Sequence, residues 1–296
     1  MLMATIIIQV VISGILLGVI YALVSVGLTL IFGVSRVKNF AHGDFVMLGM
    51  YGTYLLNSRF GIDPYFALLI VAPAMFGFGL IVARLLIKPI IGAPQVAQVF
   101  ATLGLGLVLQ NIALFIFGGD FRSVTSVASG HIVRFMGISL PLPSLIAFVV
   151  AIAVILGLYV FLRSSYTGKA MRAVAQDRHA ATLMSINVSK IDFLTFGLGA
   201  ACAGIAGTLL MPLFPVYPTI GLNLVLVAFV IVILGGLGSL WGALIGGIAI
   251  GLTENLSAFF IGSEMRQIAY FVVFLLVLLI RPAGLFGVKG SEKMGA

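Results

Sequence analysis

The stretch RSSYTGKAMRAVAQDRHAATLMSINVSKI, residues 163–191, is the longest clearly hydrophilic run between two apolar segments of this chain. It carries five basic side chains against a single acid, Asp177. The segments on both sides are apolar over lengths that can cross a bilayer, which takes about 20 residues. The sequence therefore predicts a membrane protein that presents one basic loop to the water on one side.

Composition supports this class of protein. The chain has 296 residues, of which 62% are hydrophobic and 8% are charged, whereas a soluble domain carries about 25% charged residues. A β-barrel would show short alternating segments in place of long apolar runs. We therefore predict an all-α, polytopic bundle of about 8–9 transmembrane helices, which forms a single domain over 1–296.

Nine apolar runs are the candidate helices. They are Ile6–Gly33, Phe40–Leu56, Tyr65–Ile87, Val96–Phe117, Pro143–Leu162, Phe193–Leu213, Leu222–Leu234, Trp241–Ile261 and Gln267–Ile280. The run Leu222–Leu234 is short for a full crossing, so we expect a re-entrant segment or a broken helix buried in protein. Glycines four apart, such as Gly14 with Gly18 and Gly247 with Gly251, predict closely packed helix pairs.

Lysine and arginine set the predicted topology. If the nine runs alternate, most bases fall on one side, which is then cytoplasmic. These bases are Arg36, Lys38, Arg84, Lys88, those of 163–191, Arg281, Lys289 and Lys293. The N-terminus is then outside and the C-terminus inside, with a main external loop at about 118–142. No charge precedes Arg36, so the first run is interpreted as a retained helix and not as a cleaved signal.

Several other classes of function are not predicted. The net charge of +8 comes from bases at segment ends and not from a basic domain, so nucleic acid is not an expected partner. His42 and Asp44 are two residues apart, but no further ligands cluster near them, so no metal site is expected. The single Cys202 excludes an intramolecular disulfide. No nucleophile–base pattern is present, so the chain is not predicted to be an enzyme.

The basic loop itself predicts a helix over roughly Lys169 to Met184. Its apolar face would comprise Ala170, Met171, Val174, Ala181 and Met184. Asn187 can end such a helix by adopting left-handed geometry. Periodicity alone leaves two interpretations open. The helix is either a solvated element on anionic headgroups, or an element that inserts into a groove on a cytoplasmic partner.

Three segments resemble one known family. Residues 18–56, GVIYALVSVGLTLIFGVSRVKNFAHGDFVMLGMYGTYLL, are predicted to form a helix, a polar segment at 35–44 that interrupts it and a second helix, with Asn39–Gly43 following Tyr21–Leu23. This sequence closely resembles the permeases of branched-chain amino acid ABC importers, of the LivH type. GGLGSLWGALIGG at 235–247 is similar to the family's glycine-rich segment, and 168–188 to its cytoplasmic coupling loop. That loop often has glycine where this chain has Ser185.

The resemblance implies an inner-membrane permease subunit without its own ATPase, and the chain has no G-x-x-x-x-G-K-[ST] phosphate loop. No cofactor would bind this chain, and Mg-ATP would bind the partner subunits. The implied partners are a homologous permease of the LivM type, two cytoplasmic ATPases, an external binding protein and membrane lipids. The residues expected to contact the ATPase are Lys169, Arg172, Ala173, Asp177, Ala181 and Ser185.

Polar residues within or next to the apolar runs are the candidates for the translocation path or the helix break. They are Asn39, His42, Asp44, Gln110, Asn111, Glu254 and Asn255. Glu254 is an acid well inside an apolar run, where charge is costly and is usually functional or paired. The favoured interpretation is an interhelical hydrogen bond accepted by Glu254, for which Gln110 and Asn111 are suggested donors.

The resulting hypothesis is an ATP-driven importer of leucine, isoleucine and valine. Relatives of this permease type also serve urea, short amides and other amino acids, and the sequence does not discriminate among these substrates. An ion-coupled secondary transporter is the alternative from another class, and it would place ionisable residues along its pathway.

Overall fold

A computed structural model of the protein describes residues 2–135, 137–281 and 283–286. The nine predicted runs all form helices in these residues, which confirms the all-α prediction. In chain order the helices are α1 (Leu2–Ser35), α2 (His42–Phe60), α3 (Pro64–Val82), α4 (Lys88–Ile90), α5 (Gln95–Phe117), α6 (Leu142–Ser164), α7 (Tyr166–Gln176), α8 (Arg178–Leu183), α9 (Val188–Leu210), α10 (Ile220–Gly235), α11 (Leu240–Phe260) and α12 (Arg266–Ile280). A π-helical turn, Ala83–Ile87, joins α3 to α4, and a 3₁₀ turn, Ser263–Met265, precedes α12. The predicted cytoplasmic bases Lys289 and Lys293 lie outside the described residues.

Seven helical segments of the described residues are long and apolar enough to cross a membrane. The other two long helices are α2, which begins with His42, Gly43 and Asp44, and α10, which has 16 residues. At a rise of 1.5 Å per residue α10 is about 24 Å long, shorter than a hydrocarbon core of about 30 Å. Of the expectations for this run, the broken helix is wrong, because α10 is one continuous helix, and burial in protein is confirmed, since α10 is mostly buried between α1, α2 and α11. A re-entrant segment stays a prediction.

The glycine spacing does bring helices into backbone contact. A Cβ atom placed on Gly18 would lie 2.6 Å from the Gly247 carbonyl oxygen, and one on Gly14 would lie 3.0 Å from that of Gly251. Real Cβ atoms essentially never come within 2.6 Å of a backbone atom, so only glycine fits at Gly18, and a methyl group at Gly14 would require its neighbour to shift. The close-packing prediction for these four residues is therefore confirmed. Among the described residues, α1 and α11 pack against each other more extensively than any other pair of helices.

The predicted external loop contains a small β-hairpin. Strand β1 (Ile132–Phe135) pairs antiparallel with β2 (Ile138–Pro141). Next to the hairpin, the Arg122 amide donates to the Val216 carbonyl at 2.9 Å, and the Val216 amide donates back at 2.8 Å. This pair of bonds ties the loop after α5 to the connection between α9 and α10, so both connections lie at the same end of the bundle.

Candidate functional site

Helix α2 begins deep inside the bundle because the chain turns back after α1 and follows α5. Near the start of α5, the Lys38 ammonium donates to the Gln95 side-chain oxygen at 2.7 Å. Further along, the Phe40 amide donates to the Thr102 hydroxyl at 3.3 Å. Thr102 is seven residues beyond Gln95, so the chain between α1 and α2 advances about 10 Å along the axis of α5 before α2 starts.

The carboxylate of Asp44, in the first turn of α2, lies where three helices meet. Gln110 of α5 donates from Nε2 to Asp44 Oδ1 at 2.9 Å. A Cβ atom on Gly106 would lie 2.5 Å from Asp44 Oδ2, and one on Gly221, in the first turn of α10, would overlap Oδ1. Asp44 is 2% exposed. The N-terminal ends of α2 and α10 both carry partial positive charge, which favours a carboxylate at this point.

Two further polar residues of the break are fully buried beside Asp44. His42 Nε2 lies 2.9 Å from the Val24 carbonyl oxygen, and because that oxygen only accepts, Nε2 carries the proton. Asn39 accepts the Ala41 amide at 3.2 Å. His42 Nδ1 and Asn39 Nδ2 have no partner among the described residues. We call Asn39, His42, Asp44 and Gln110 the polar break.

The remaining polar candidates lie apart from the polar break. The predicted interhelical hydrogen bond of Glu254 is confirmed, but the suggested partners Gln110 and Asn111 are wrong, since the bond is to the Tyr21 hydroxyl of α1. The reason is that α11 packs on α1 and not on α5. Asn111 is exposed and donates to the Leu107 carbonyl of its own helix at 2.7 Å. Asn255 likewise donates within α11, to Gly251 at 3.1 Å.

The basic loop forms two helices and not one. At Asp177 the backbone is extended (φ −147°, ψ 109°), which ends α7 and starts α8. Its Oδ1 accepts the His179 amide at 2.8 Å and the Ala180 amide at 3.0 Å, so Asp177 caps α8. These two hydrogen bonds, of which the one from Ala180 has the larger effect, hold the pKa of the Asp177 carboxyl below its ordinary value. The prediction of one helix from Lys169 to Met184 is therefore wrong, because an aspartate offers an N-cap in mid-segment.

The apolar face of the two helices is only partly as predicted. Four of its members are buried against the rest of the bundle, namely Ala170, Met171, Val174 and Ala181. The fifth, Met184, is 77% exposed, because it follows the end of α8. Of the residues expected to contact an ATPase, Ala173 is half-buried and four are exposed, namely Lys169, Arg172, Asp177 and Ser185. Ala181, at 4% exposure, faces the bundle and not a partner.

Ser185 and not Asn187 takes the left-handed conformation that ends α8, with φ of 61°. The Ile186 amide donates to the Ala181 carbonyl and the Ser185 amide to the Thr182 carbonyl, both at 3.0 Å. This is the Schellman pattern of helix termination. Asn187 instead caps α9 by accepting the Lys190 amide at 3.0 Å. The left-handed turn thus falls where the resembling family often has glycine.

An ion pair that the sequence did not predict fixes this loop to the bundle. Arg178 donates to Asp192 through two bonds, Nη2 to Oδ2 at 2.6 Å and Nη1 to Oδ1 at 3.1 Å. Nη1 also donates to the Val34 carbonyl at 3.2 Å, near the end of α1. Asp192 is 3% exposed. The sequence did contain a signal for this pair. Asp192 lies at the start of an apolar run, where a carboxylate usually has a basic partner, and Arg178 is a base in the adjoining loop.

A bundle of long apolar helices, with a basic helical element fixed to one end and polar groups buried at a helix break, defines a membrane transport permease. A family model matches residues 10–280 and describes the branched-chain amino acid transport system, permease component. The chain belongs to this family, as the resemblance in the sequence indicated.

Known proteins agree with this assignment. The chain is 32% identical to the high-affinity branched-chain amino acid transport system permease protein LivH of Escherichia coli K12, over 95% of this chain and 96% of LivH. It is 26% identical to LivM of the same organism, over 91% of this chain and 68% of LivM. A chain in the solved structure of PsaBC from Streptococcus pneumoniae in complex with Fab shares the fold, with a TM-score of 0.51 and 14% identity over 93% and 92% of the two chains.

Proposed function

We propose that this permease imports leucine, isoleucine and valine, driven by ATP hydrolysis in two partner subunits on the cytoplasmic side. A second permease of the LivM type and an external binding protein would complete the importer. Similarity to both LivH and LivM of one organism supports a pair of related permeases. The observation that carries the mechanism is the bidentate bond from Arg178 to Asp192, which fixes the loop helices to the bundle.

The exposed side of α7 and α8 supports docking of an ATPase. Its polar positions include Lys169, Arg172 and Asp177, all exposed, and its apolar tip comprises Leu183 and Met184, which are 73% and 77% exposed. Exposed apolar side chains beside charged ones are typical of a surface that binds another protein. The opposite face is already used against the bundle, so a partner can engage this side without unpacking the permease.

Movement of these helices would reach the bundle through Arg178. Its guanidinium holds α9 through Asp192 and the end of α1 through the Val34 carbonyl. A displacement of α8 therefore pulls on α1 and α9 together. In this mechanism the ATPases alternate the bundle between outward-facing and inward-facing states, and Arg178 acts as a positioning residue.

The outer face of α5 supports a second permease as partner. Asn111 and Phe115 both point away from the bundle, and Phe115 is 92% exposed. On the inner face of the same helix, Gln110 bonds Asp44. A polar side chain on the outer face of a spanning helix is disfavoured against lipid, so we expect protein to cover it. The translocation path would then lie between the two permeases, next to the polar break.

The test of coupling uses the assembled importer. We expect loaded binding protein to stimulate ATP hydrolysis, and the charge reversal Arg172→Glu to weaken binding of the ATPase. Lys190→Glu, at an exposed position in the first turn of α9, is the matched control and should leave both unchanged. Absence of stimulation with all subunits present, or equal effects of both reversals, would contradict the proposal.

Orientation is tested by labelling from one side. Lys169→Cys should react with a membrane-impermeant maleimide only in inside-out vesicles, and Ser123→Cys only in intact cells. Both positions are exposed, whereas the native Cys202 is buried. Labelling of Lys169→Cys in intact cells would reverse the topology and remove the ATPase from this face.

Substrate and energy source are tested in the same vesicles. Uptake of labelled leucine should be competed by isoleucine and valine and not by urea or acetamide. One observation favours the ion-coupled alternative, namely that no base forms an ion pair with the Asp44 carboxylate within the described residues. Uptake that survives ATP depletion and follows a proton gradient would support that alternative.

A further inference from the structure

A cavity of about 730 Å³ lies between the bundle and the loop helices. Its walls are the last turns of α1, the end of α6, helix α7 and the connection between α10 and α11. Most of this lining is apolar, including Phe32, Leu162 and Leu240. Its volume is in the range of 300–1,000 Å³ typical of ligand pockets. The cavity is separate from the polar break, and it shares one residue, Arg172, with the surface proposed to bind the ATPase.

Three arginines line this mostly apolar space, namely Arg36, Arg163 and Arg172. None of them has a carboxylate within 4.0 Å in the described part of the chain. Each guanidinium has five N–H donors, and each makes one described side-chain bond, to Ala175 O, the Tyr159 hydroxyl and Arg163 O respectively. Like charges gathered around one cavity repel each other, so a bound anion would stabilise the arrangement.

Two further features belong to the same cavity. Thr29 lines it and is 1% exposed, and its hydroxyl has no partner among the described residues. Arg36 has a φ of 56° where α1 ends at Ser35, and its amide still donates to the Phe32 carbonyl at 3.0 Å. This left-handed turn ends α1 beside the cavity, and Arg36 is one of the lining residues.

The surroundings indicate an amphiphilic anion. Tyr159 of α6 and Trp241 of α11 meet edge to face at 5.3 Å, and both line the cavity. Tyr and Trp are enriched at the level of lipid headgroups. Next to them Val160 and Ile245 are 57% and 41% exposed, so the surface towards the membrane is apolar. A soluble anion would gain nothing from these walls.

We propose that the cavity binds one anionic phospholipid, with its phosphate among the three guanidiniums and its upper acyl chains along Tyr159 and Trp241. The lipid would bridge α1, α6 and α7, and so stabilise the position of the loop helices. This proposal does not depend on the transported substrate, and its tests leave Arg172, which also lies on the surface proposed to bind the ATPase, unchanged.

The single tryptophan of the chain, Trp241, provides a direct test. The full chain is reconstituted in phosphatidylcholine vesicles, and brominated phosphatidylglycerol or brominated phosphatidylcholine is titrated in. We expect the brominated anionic lipid to quench Trp241 at a lower mole fraction than the zwitterionic lipid. Equal quenching by the two lipids would overturn the proposal, and this measurement needs no variant.

The headgroup is tested by a double variant, Arg36→Gln with Arg163→Gln. Losing two guanidiniums that bond the phosphate should weaken the preference for phosphatidylglycerol by about 100-fold, at about ten-fold for each, because a hydrogen bond to a charged group contributes at least about 1.5 kcal/mol. The matched control is Arg84→Gln with Lys88→Gln, which removes the same charge from exposed positions away from the cavity. An equal loss of preference in the control would mean general surface attraction and would refute a built site.

Inorganic phosphate separates a lipid from a free anion. It should not displace the brominated lipid at millimolar concentration, because it cannot use the apolar walls. If phosphate removes the preference for phosphatidylglycerol in the wild type, the cavity is an anion site and not a lipid site.

Discussion

The ion pair between Arg178 and Asp192 gives a stability prediction whose size follows from burial. In the variant Arg178→Met, the Asp192 carboxylate stays 3% exposed but loses both of its described bonds. Breaking a buried pair costs about 3–5 kcal/mol, because one charge is left without compensation. The Arg178 side chain is 26% exposed, so water reduces the cost, and we expect about 2–3 kcal/mol.

The assay is thermal unfolding of the detergent-purified chain. At roughly 2 °C per kcal/mol for a protein of this size, Arg178→Met should unfold about 5 °C earlier. The matched control is Asp120→Asn, which breaks the exposed pair with Arg122 at 3.3 Å, where the side chains are 81% and 37% exposed. Exposed pairs contribute about 0–1 kcal/mol, so the control should shift by less than about 2 °C.

A second variant separates loss of the pair from loss of arginine as such. In Arg178→Met with Asp192→Leu both charges are gone, and replacing both partners by apolar groups is often neutral. We therefore expect the double variant to unfold at a higher temperature than Arg178→Met alone. A double variant that is less stable than the single one, or equal shifts in Arg178→Met and Asp120→Asn, would refute the reasoning.

Three further predictions concern single residues. Ser185→Gly should stabilise the chain by about 0.5–1 kcal/mol, because glycine adopts φ of 61° without strain, and thermal unfolding with Ser185→Ala as control measures this. Gly221→Ala should destabilise by about 1–3 kcal/mol, because its methyl group would overlap the Asp44 carboxylate, whereas Gly157→Ala has open space and should not. Asp177→Ala should be less stable than wild type at pH 7, and the difference should shrink in a pH series below about 3.9, because the depressed pKa of Asp177 stabilises only the ionised form.

Element type and order could be predicted from the sequence, because a bilayer leaves helices as the way to satisfy the backbone of a long apolar run. The runs Ile6–Gly33 and Val96–Phe117 became α1 and α5 with nearly the predicted bounds. Close packing at the glycines of α1 and α11 was also predicted, since small residues four apart allow two helix backbones to approach closely. Which helix each glycine stripe would meet was not predicted.

The depth and pairing of polar groups could not be predicted in this way. That α2 begins beside Thr102 and Gln110 depends on contacts between residues about 60 positions apart, which carry no local signal. The interhelical bond of Glu254 was predicted, but its partner was not, because the partner depends on the packing of α11 on α1. The division of the loop at Asp177 did have a local signal. An aspartate followed by free amides competes with helix continuation, and periodicity does not register that competition.

The two ways in which helices are joined in this bundle explain where it can move. The contact between α1 and α11 is backbone against backbone at Gly18 and Gly247. A change of side-chain rotamer therefore cannot loosen it, and a close-packed interface of this kind transmits displacement from one helix to the other. The contact between α2 and α5 depends instead on side-chain bonds such as Gln110 to Asp44. A neutral hydrogen bond contributes only about 1 kcal/mol net, and bonds to charged groups about 1.5–3, so such bonds can be exchanged during a cycle. A pull at Arg178 should therefore move α1, α9 and α11 together, and the polar break is the place where α5 can shift relative to them.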